Sequence, residues 1–129
     1  MSNPNLGDSC LVLLAEDNLM VGITLEEDLT NVGYTVAGPF ASCSAATAWL
    51  KTSTPNIAIL DVKLSDGPCI ELAHELKKRG VPFIVYSGAD STHRAPEFAQ
   101  ATWIAKPCHH HLILDAVSAL RPEPRQRRG

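Results

Sequence analysis

Residues 11–17, Leu-Val-Leu-Leu-Ala-Glu-Asp, place the adjacent carboxylates Glu16 and Asp17 directly after an apolar run of strand length. Two later apolar runs also end in a charged residue, Asp61 in one case and Lys106 in the other. Nearly continuous apolar runs are typical of parallel strands that are covered on both faces. Because the carboxyl ends of parallel strands meet at one edge of a sheet, the sequence predicts that these four side chains share a pocket.

The chemistry of this predicted pocket favours a cation. Carboxylates that crowd together resist ionisation unless a positive charge joins them, and a cluster of oxygen ligands suits Mg²⁺. An acidic pair by itself would more often cap a helix, and an isolated lysine is usually a solvated charge. The ordered set of all four residues therefore carries the prediction of a magnesium site with a lysine beside it.

Strand and helix patterns alternate along the chain, which predicts stacked βα units around a parallel sheet. The predicted strands cover residues 10–15, 35–38, 57–61, 82–86 and 102–104. Apolar residues at helical spacing predict helices over residues 21–32, 42–52, 67–79 and 110–120. Residues 90–99 are polar and interrupted by Pro96, so a short or irregular helix is expected there.

The length of 129 residues predicts one domain, here residues 9–121, with an N-terminal extension over residues 1–8 and a basic tail over residues 122–129. The sequence has no apolar run of membrane-spanning length and no pattern of a signal peptide, so a cytoplasmic location and no membrane contact are expected.

Charge is unevenly distributed along the chain. The last nine residues hold four arginines and one glutamate, a net charge of +3. Because the whole chain has a net charge of −3, the residues before them have a net charge of −6. An acidic body argues against binding of nucleic acid by the domain. The basic end could act as a docking arm, but solvated, mobile ends are the commoner case and are favoured here.

The sequence pattern favours structural roles for the cysteines and for the run of histidines. Four scattered cysteines with no Cys-x-x-Cys spacing favour small core or boundary residues over disulfides or metal ligands. The run of histidines at residues 109–111 favours surface placement over a metal site, because consecutive residues of a helix point in different directions.

The order of these features resembles the receiver domain of two-component response regulators over about residues 9–120. It comprises the acidic pair after the first strand, Asp61 after the third, Ser87 after the fourth and Lys106-Pro107 after the fifth. The resemblance implies an α/β, flavodoxin-like (βα)5 doubly wound fold. The implied fold has a five-stranded parallel sheet of strand order 2-1-3-4-5. In this chain the fourth helix of the fold, at residues 90–99, is expected to be short or irregular.

A finer resemblance links the chain to stand-alone alphaproteobacterial receivers nicknamed FAT GUY. The loop after Asp61 reaches Gly67 early and lacks a proline, and the fourth helix is weak. Residues 85–89, Val-Tyr-Ser-Gly-Ala, share only the hydroxyl and the glycine with the Phe-Ala-Thr-Gly-Tyr stretch of that group.

The receiver resemblance implies the following phosphoacceptor and metal ligands. Asp61 matches the residue that accepts the phosphoryl group. Asp17 matches a direct Mg²⁺ ligand, and Glu16 matches a ligand that acts through water. The backbone carbonyl of Lys63 matches the further protein ligand of the metal.

It also implies groups that act on the phosphoryl group. Ser87 matches the hydroxyl that bonds a phosphoryl oxygen, and Lys106 matches the lysine that pairs with it. Trp103 stands where receivers usually carry a rotameric Tyr or Phe, although its bulk could equally fix it in place. The bond from Lys106 to Pro107 matches one that is commonly cis.

These roles predict a single-domain response regulator that is phosphorylated by a histidine kinase or a histidine phosphotransfer protein, with a possible downstream protein target. Its oligomeric state is left open. It would be no enzyme beyond its own phosphorylation and dephosphorylation. A phosphate-independent interaction module is the alternative.

A phosphohydrolase is disfavoured because Lys63 stands where a second acidic residue would be needed. A flavodoxin-like cofactor binder is disfavoured because no phosphate loop follows the first strand.

Overall fold

The structure is a computed structural model, and it describes residues 10–62, 64, 69–87, 101–106 and 109–120. Five strands form one sheet: β1 (Leu11–Ala15), β2 (Thr35–Phe40), β3 (Ile57–Leu60), β4 (Phe83–Ser87) and β5 (Thr102–Ala105). The described helices are α1 (Leu19–Asn31), α2 (Cys43–Leu50), α3 (Ile70–Lys78) and α4 (His110–Leu120). All strand pairs are parallel and the order is β2-β1-β3-β4-β5, which confirms the predicted architecture.

Element boundaries differ from the prediction by at most three residues, and the second strand and the third helix are examples. The second strand continues through Gly38 and Pro39 to Phe40, because Phe40 stays paired with Ala15 of β1. The third helix begins at Ile70, and residues 67–68 of its predicted start lie outside the described residues. The expected irregular helix at residues 90–99, the N-terminal extension and the basic tail also lie outside them. The finer grouping with FAT GUY receivers therefore stays a prediction.

The core has two layers, one on each face of the sheet. Successive side chains of a strand point to opposite faces, so Leu13 and Val12 of β1 pack into different layers. One layer lies under α2 and α3 and includes Ala46, Leu50, Leu72, Ala73 and Leu76. The other lies under α1 and α4 and includes Leu25, Leu29, Ile113 and Val117. Both faces of the sheet are thus covered, as the apolar runs predicted.

The helices α1 and α2, which lie on opposite faces of the sheet, both begin with polar caps. Asn18 caps α1 by accepting a hydrogen bond from the backbone N–H of Val21 at 3.1 Å. Ser42 caps α2 by accepting one from Ala45 at 3.1 Å. Such caps satisfy backbone N–H groups that have no partner within the helix. As Asn18 follows Asp17 directly, α1 starts beside the acidic pair.

The cysteine prediction was wrong for two residues, since Cys43 and Cys69 form a disulfide. They are 26 residues apart in sequence, but α2 and α3 pack side by side and bring their Cα atoms to 5.3 Å. This separation lies within the usual range for a disulfide. Sequence spacing alone gave no sign that the starts of these two helices meet. Cys10 is a buried thiol in the layer under α1 and α4, as expected for a core residue.

Gly38 is required by its backbone conformation and by its surroundings. Its φ is 120°, a value that residues with a side chain rarely adopt, and a Cβ atom there would collide with the carbonyl oxygen of Leu14. Gly80 also has a positive φ, of 73°, but open space surrounds the position of its missing Cβ atom. A side chain at Gly38 would therefore cause both backbone strain and a steric collision, whereas one at Gly80 would cause backbone strain alone.

We expect Gly38→Ala to lower the free energy of unfolding by about 3 kcal/mol, because conformational strain and overpacking add. Gly80→Ala should cost only about 1 kcal/mol, the usual penalty of a left-handed conformation. Equilibrium unfolding in urea, followed by circular dichroism, measures both. Equal losses in the two variants would contradict the assigned collision with Leu14.

Candidate functional site

The predicted site residues lie at the carboxyl edge of the sheet. Glu16 follows β1, Asp61 follows β3 and Lys106 follows β5. The backbone N–H of Glu16 donates to the carbonyl of Phe40 at 2.9 Å, and that of Asp61 donates to the carbonyl of Ala15 at 2.9 Å. These bonds continue the strand pairing past the ends of β1 and β3, and they hold both acidic residues in place.

Lys106 joins the two buried carboxylates. Its Nζ lies 2.8 Å from Oε1 of Glu16 and 2.9 Å from Oδ2 of Asp61. Glu16 is only 2% exposed and Asp61 only 4%. The backbone N–H of Asn18 also donates to Oε2 of Glu16, at 3.0 Å. Buried charges require such partners, so the ammonium and the N–H group stabilise the ionised form of Glu16.

Two groups of the pocket have shifted pKa values. Burial raises the pKa of Glu16, the neighbouring charge of Asp61 raises it further, and the hydrogen bonds from Lys106 and Asn18 only partly offset this. Burial alone would lower the pKa of Lys106, but the hydrogen bonds to Glu16 and Asp61 and the negative charges of both groups together outweigh burial, so that the pKa is raised. Lys106 thus stays charged between the two carboxylates.

The three acidic residues could hold a metal ion together. Glu16, Asp17 and Asp61 each offer a carboxylate oxygen, and these oxygens all lie within 4.8 Å of one another. Asp17 is exposed, so the cluster can be reached from solvent. Because the donors are carboxylates without sulfur or imidazole, the set fits a hard divalent cation such as Mg²⁺.

Other residues with predicted roles are placed less fully. Ser87 ends β4 with its backbone in register with Ala105, one residue before Lys106; only its backbone is described. Trp103 lies in β5, partly buried, and packs against the core layer under α2 and α3. Lys63 and Pro107 lie outside the described residues. The roles of all four stay predictions.

Tyr86 is a neighbour of the site that the sequence analysis missed. It is buried, and Nζ of Lys106 lies 5.2 Å from the centre of its ring, close enough for a cation–π contact. The pairing of β4 with β5 explains this contact. Tyr86 is in register with Ile104, and Lys106 comes two residues later, so period-two alternation places it on the same face.

The histidine run lies at the start of α4. Nδ1 of His110 lies 2.8 Å from Oδ2 of Asp28, which links the start of α4 to α1. His109 and His111 are exposed, and their rings stack 5.5 Å apart.

Within the described ranges, no helix is long and apolar enough to cross a lipid bilayer.

Comparison with known proteins identifies the class. Residues 12–118 match the response regulator receiver domain family. The chain therefore belongs to the receiver domains of response regulators, and the predicted resemblance is confirmed.

One curated relative and two solved structures are similar to this chain. The transcriptional regulatory protein PdtaR of Mycobacterium tuberculosis is 30% identical over 110 residues, which cover 82% of this chain and 54% of PdtaR. The chain thus spans about half the length of that curated relative. The solution structure of SdrG from Sphingomonas melonis Fr1 has a TM-score of 0.74 and 26% identity, covering 87% of this chain and 96% of SdrG. The crystal structure of a CheY-like receiver domain protein from Methanospirillum hungatei JF-1 has a TM-score of 0.78 and 23% identity. The match covers 86% of this chain and 92% of that protein.

Proposed function

We propose that this receiver accepts a phosphoryl group on Asp61 in a Mg²⁺-dependent reaction and then signals by protein contact or by passing the group along a phosphorelay. One observation carries the proposal. The buried carboxylate of Asp61 lies 2.9 Å from an ammonium group and belongs to a cluster of three carboxylates that solvent can reach through Asp17. This arrangement matches the needs of phosphoryl transfer, which are a positioned nucleophile and fixed positive charge.

The donor would be a phosphohistidine of a histidine kinase or of a histidine phosphotransfer protein. A carboxylate oxygen of Asp61 attacks phosphorus, the bond from phosphorus to the imidazole nitrogen breaks, and the imidazole leaves with the electron pair. The product is an acyl phosphate on Asp61. In this proposal the chain catalyses only this transfer and the later hydrolysis of the acyl phosphate. The reaction takes place in the cytoplasm, and nucleic acid is not a partner.

Residues of the pocket divide the work of this reaction. Glu16, Asp17 and Asp61 would hold Mg²⁺, which supplies positive charge to the phosphoryl oxygens. Lys106 is already at hydrogen-bonding distance from Asp61, so its ammonium is positioned to pair with a phosphoryl oxygen after transfer. The backbone N–H of Asn18 and the cation–π contact with Tyr86 orient Glu16 and Lys106 respectively. Ser87 is proposed to donate its hydroxyl to the phosphoryl group.

Acetyl phosphate and Mg²⁺ provide the direct test. The protein should gain the mass of one phosphoryl group, and the gain should disappear when a chelator removes the metal. Absence of any gain with Mg²⁺ present, from acetyl phosphate and from a panel of phosphorylated histidine kinases, would overturn the proposal.

Asp17→Asn should raise the Mg²⁺ concentration needed for half-maximal labelling by about tenfold or more, because the cluster loses one of its three anionic ligands. The labelling rate across a Mg²⁺ titration measures the shift. Glu27→Gln removes an exposed carboxylate of α1 outside the cluster and is the matched control. If both variants titrate like the unmodified protein, Asp17 is not a metal ligand.

A further inference from the structure

The disulfide between Cys43 and Cys69 joins two helix starts beside the pocket. Cys43 is the first residue of α2, and Cys69 directly precedes α3 as its N-cap. Cys69 is 3% exposed and packs within the core layer under α2 and α3, whereas Cys43 is only partly buried and packs against that layer. Cys43 is therefore the more exposed residue of the two.

The link also fixes the end of the segment that leaves Asp61. Residues 62–69 connect Asp61 to α3, so Cys69 is where this segment joins the helix. The start of α3 has no capping hydrogen bond from the Cys69 side chain, although the Cys69 carbonyl accepts a hydrogen bond from Ala73 at 3.2 Å. A bond to α2 thus anchors a helix start that lacks the side-chain cap found at α1 and α2.

We propose that Cys43 and Cys69 form a reversible redox pair whose oxidant is a peroxide. The Cys43 thiol gives up its proton, and the thiolate attacks a peroxide oxygen and breaks the O–O bond. With hydrogen peroxide the products are a sulfenic acid on Cys43 and a hydroxide ion, which takes up the released proton and becomes one water. The Cys69 thiol then displaces the hydroxyl from that sulfur and gives the disulfide and a second water. The two sulfurs are oxidised by two electrons in total, and the peroxide is reduced by the same two. A dithiol reductant reverses the reaction by exchange.

The order of the two steps follows from exposure and from the position on the helix. Cys43 is the more exposed residue, and the first residue of a helix lies at its positive end, which favours a thiolate. Cys69, shielded in the core layer, acts as the resolving thiol. With their Cα atoms 5.3 Å apart, the two residues can pair without backbone movement.

The pair also gives the receiver a second input, and this part rests on the proposed function. The structure has the disulfide, and in it the three carboxylates lie together. Reduction releases the start of α3, the helix that follows the phosphoacceptor in sequence. Labelling of Asp61 by acetyl phosphate should therefore be severalfold faster in the oxidised protein than in the reduced protein.

Thiol trapping tests the pair without any reference to phosphorylation. In the 129-residue chain carrying Cys10→Ala and Cys108→Ala, only the two proposed thiols remain. Reduced protein should take up two alkyl groups in denaturant. After mild hydrogen peroxide treatment it should take up none, and dithiothreitol should restore both. Full alkylation after peroxide, a sulfonic acid on Cys43, or a disulfide-linked dimer would each overturn the redox pair.

Labelling rates then test the coupling. The rate should differ between oxidised and reduced protein, and a Cys43→Ser, Cys69→Ser double variant should show the reduced rate under both conditions. Equal rates in the two forms of the unmodified protein would overturn the coupling even if trapping succeeds. Absence of labelling in both forms would count against Asp61 as the phosphoacceptor, and trapping would still decide the pair.

Discussion

Asp61→Asn should abolish the gain of a phosphoryl group from acetyl phosphate. The amide has nearly the same shape as the carboxylate, so it can still accept a hydrogen bond from Lys106, but it lacks the anionic oxygen that attacks phosphorus. It also removes one of three crowded negative charges, so the fold should be retained. Intact mass after incubation with acetyl phosphate and Mg²⁺ measures the loss.

Asp115→Asn is the matched control, because Asp115 is an exposed residue of α4 outside the pocket. It should be labelled like the unmodified protein. Circular dichroism and thermal unfolding of both variants show whether the fold persists. Labelling of Asp61→Asn at the unmodified rate would show that another residue accepts the phosphoryl group.

Lys106→Met should destabilise the protein and slow its labelling. The substitution keeps an unbranched side chain but leaves the carboxylates of Glu16 and Asp61 buried without their ammonium partner. Removing one member of a buried ion pair costs about 3 to 5 kcal/mol. We expect about 2 to 3 kcal/mol here, because the Lys106 side chain is 22% exposed. Urea unfolding in the presence of a chelator measures this loss.

Mg²⁺ provides the internal check on that prediction. A divalent cation bound by the same carboxylates should recover part of the lost stability, so the difference between the variant and the unmodified protein should shrink as Mg²⁺ is added. Lys78→Met removes an exposed lysine of α3 and should change stability little. If Lys106→Met matches Lys78→Met with and without Mg²⁺, the ion pairs at Lys106 do not support the pocket.

The sequence was sufficient for the fold because its signals were local and mutually consistent. Apolar runs of strand length alternated with helical spacing, and parallel topology required the strand ends to share one edge. This brought Glu16, Asp61 and Lys106 together from three distant parts of the chain, as the structure shows. Charge after an apolar run is a robust signal, since the backbone pairing continues past the strand end and fixes the charged residue.

The sequence did not reveal contacts that depend on how separate elements pack. Tyr86 lies over Lys106 only because β4 and β5 pair in a particular register. Cys43 and Cys69 meet only because α2 and α3 lie side by side on one face. The extension of β2 through Pro39 depends on the pairing of Phe40 with Ala15, which outweighs the usual reading of Gly-Pro as a break.

The arrangement around Lys106 also sets the net charge that the pocket presents. At their formal charges, three carboxylates and one ammonium sum to −2, which a bound divalent cation would cancel. Conversion of Asp61 from a carboxylate to an acyl phosphate adds about one further negative charge. A neutral pocket would thus become an anionic one, and the sign of the field at this edge would report the phosphorylation state to any partner.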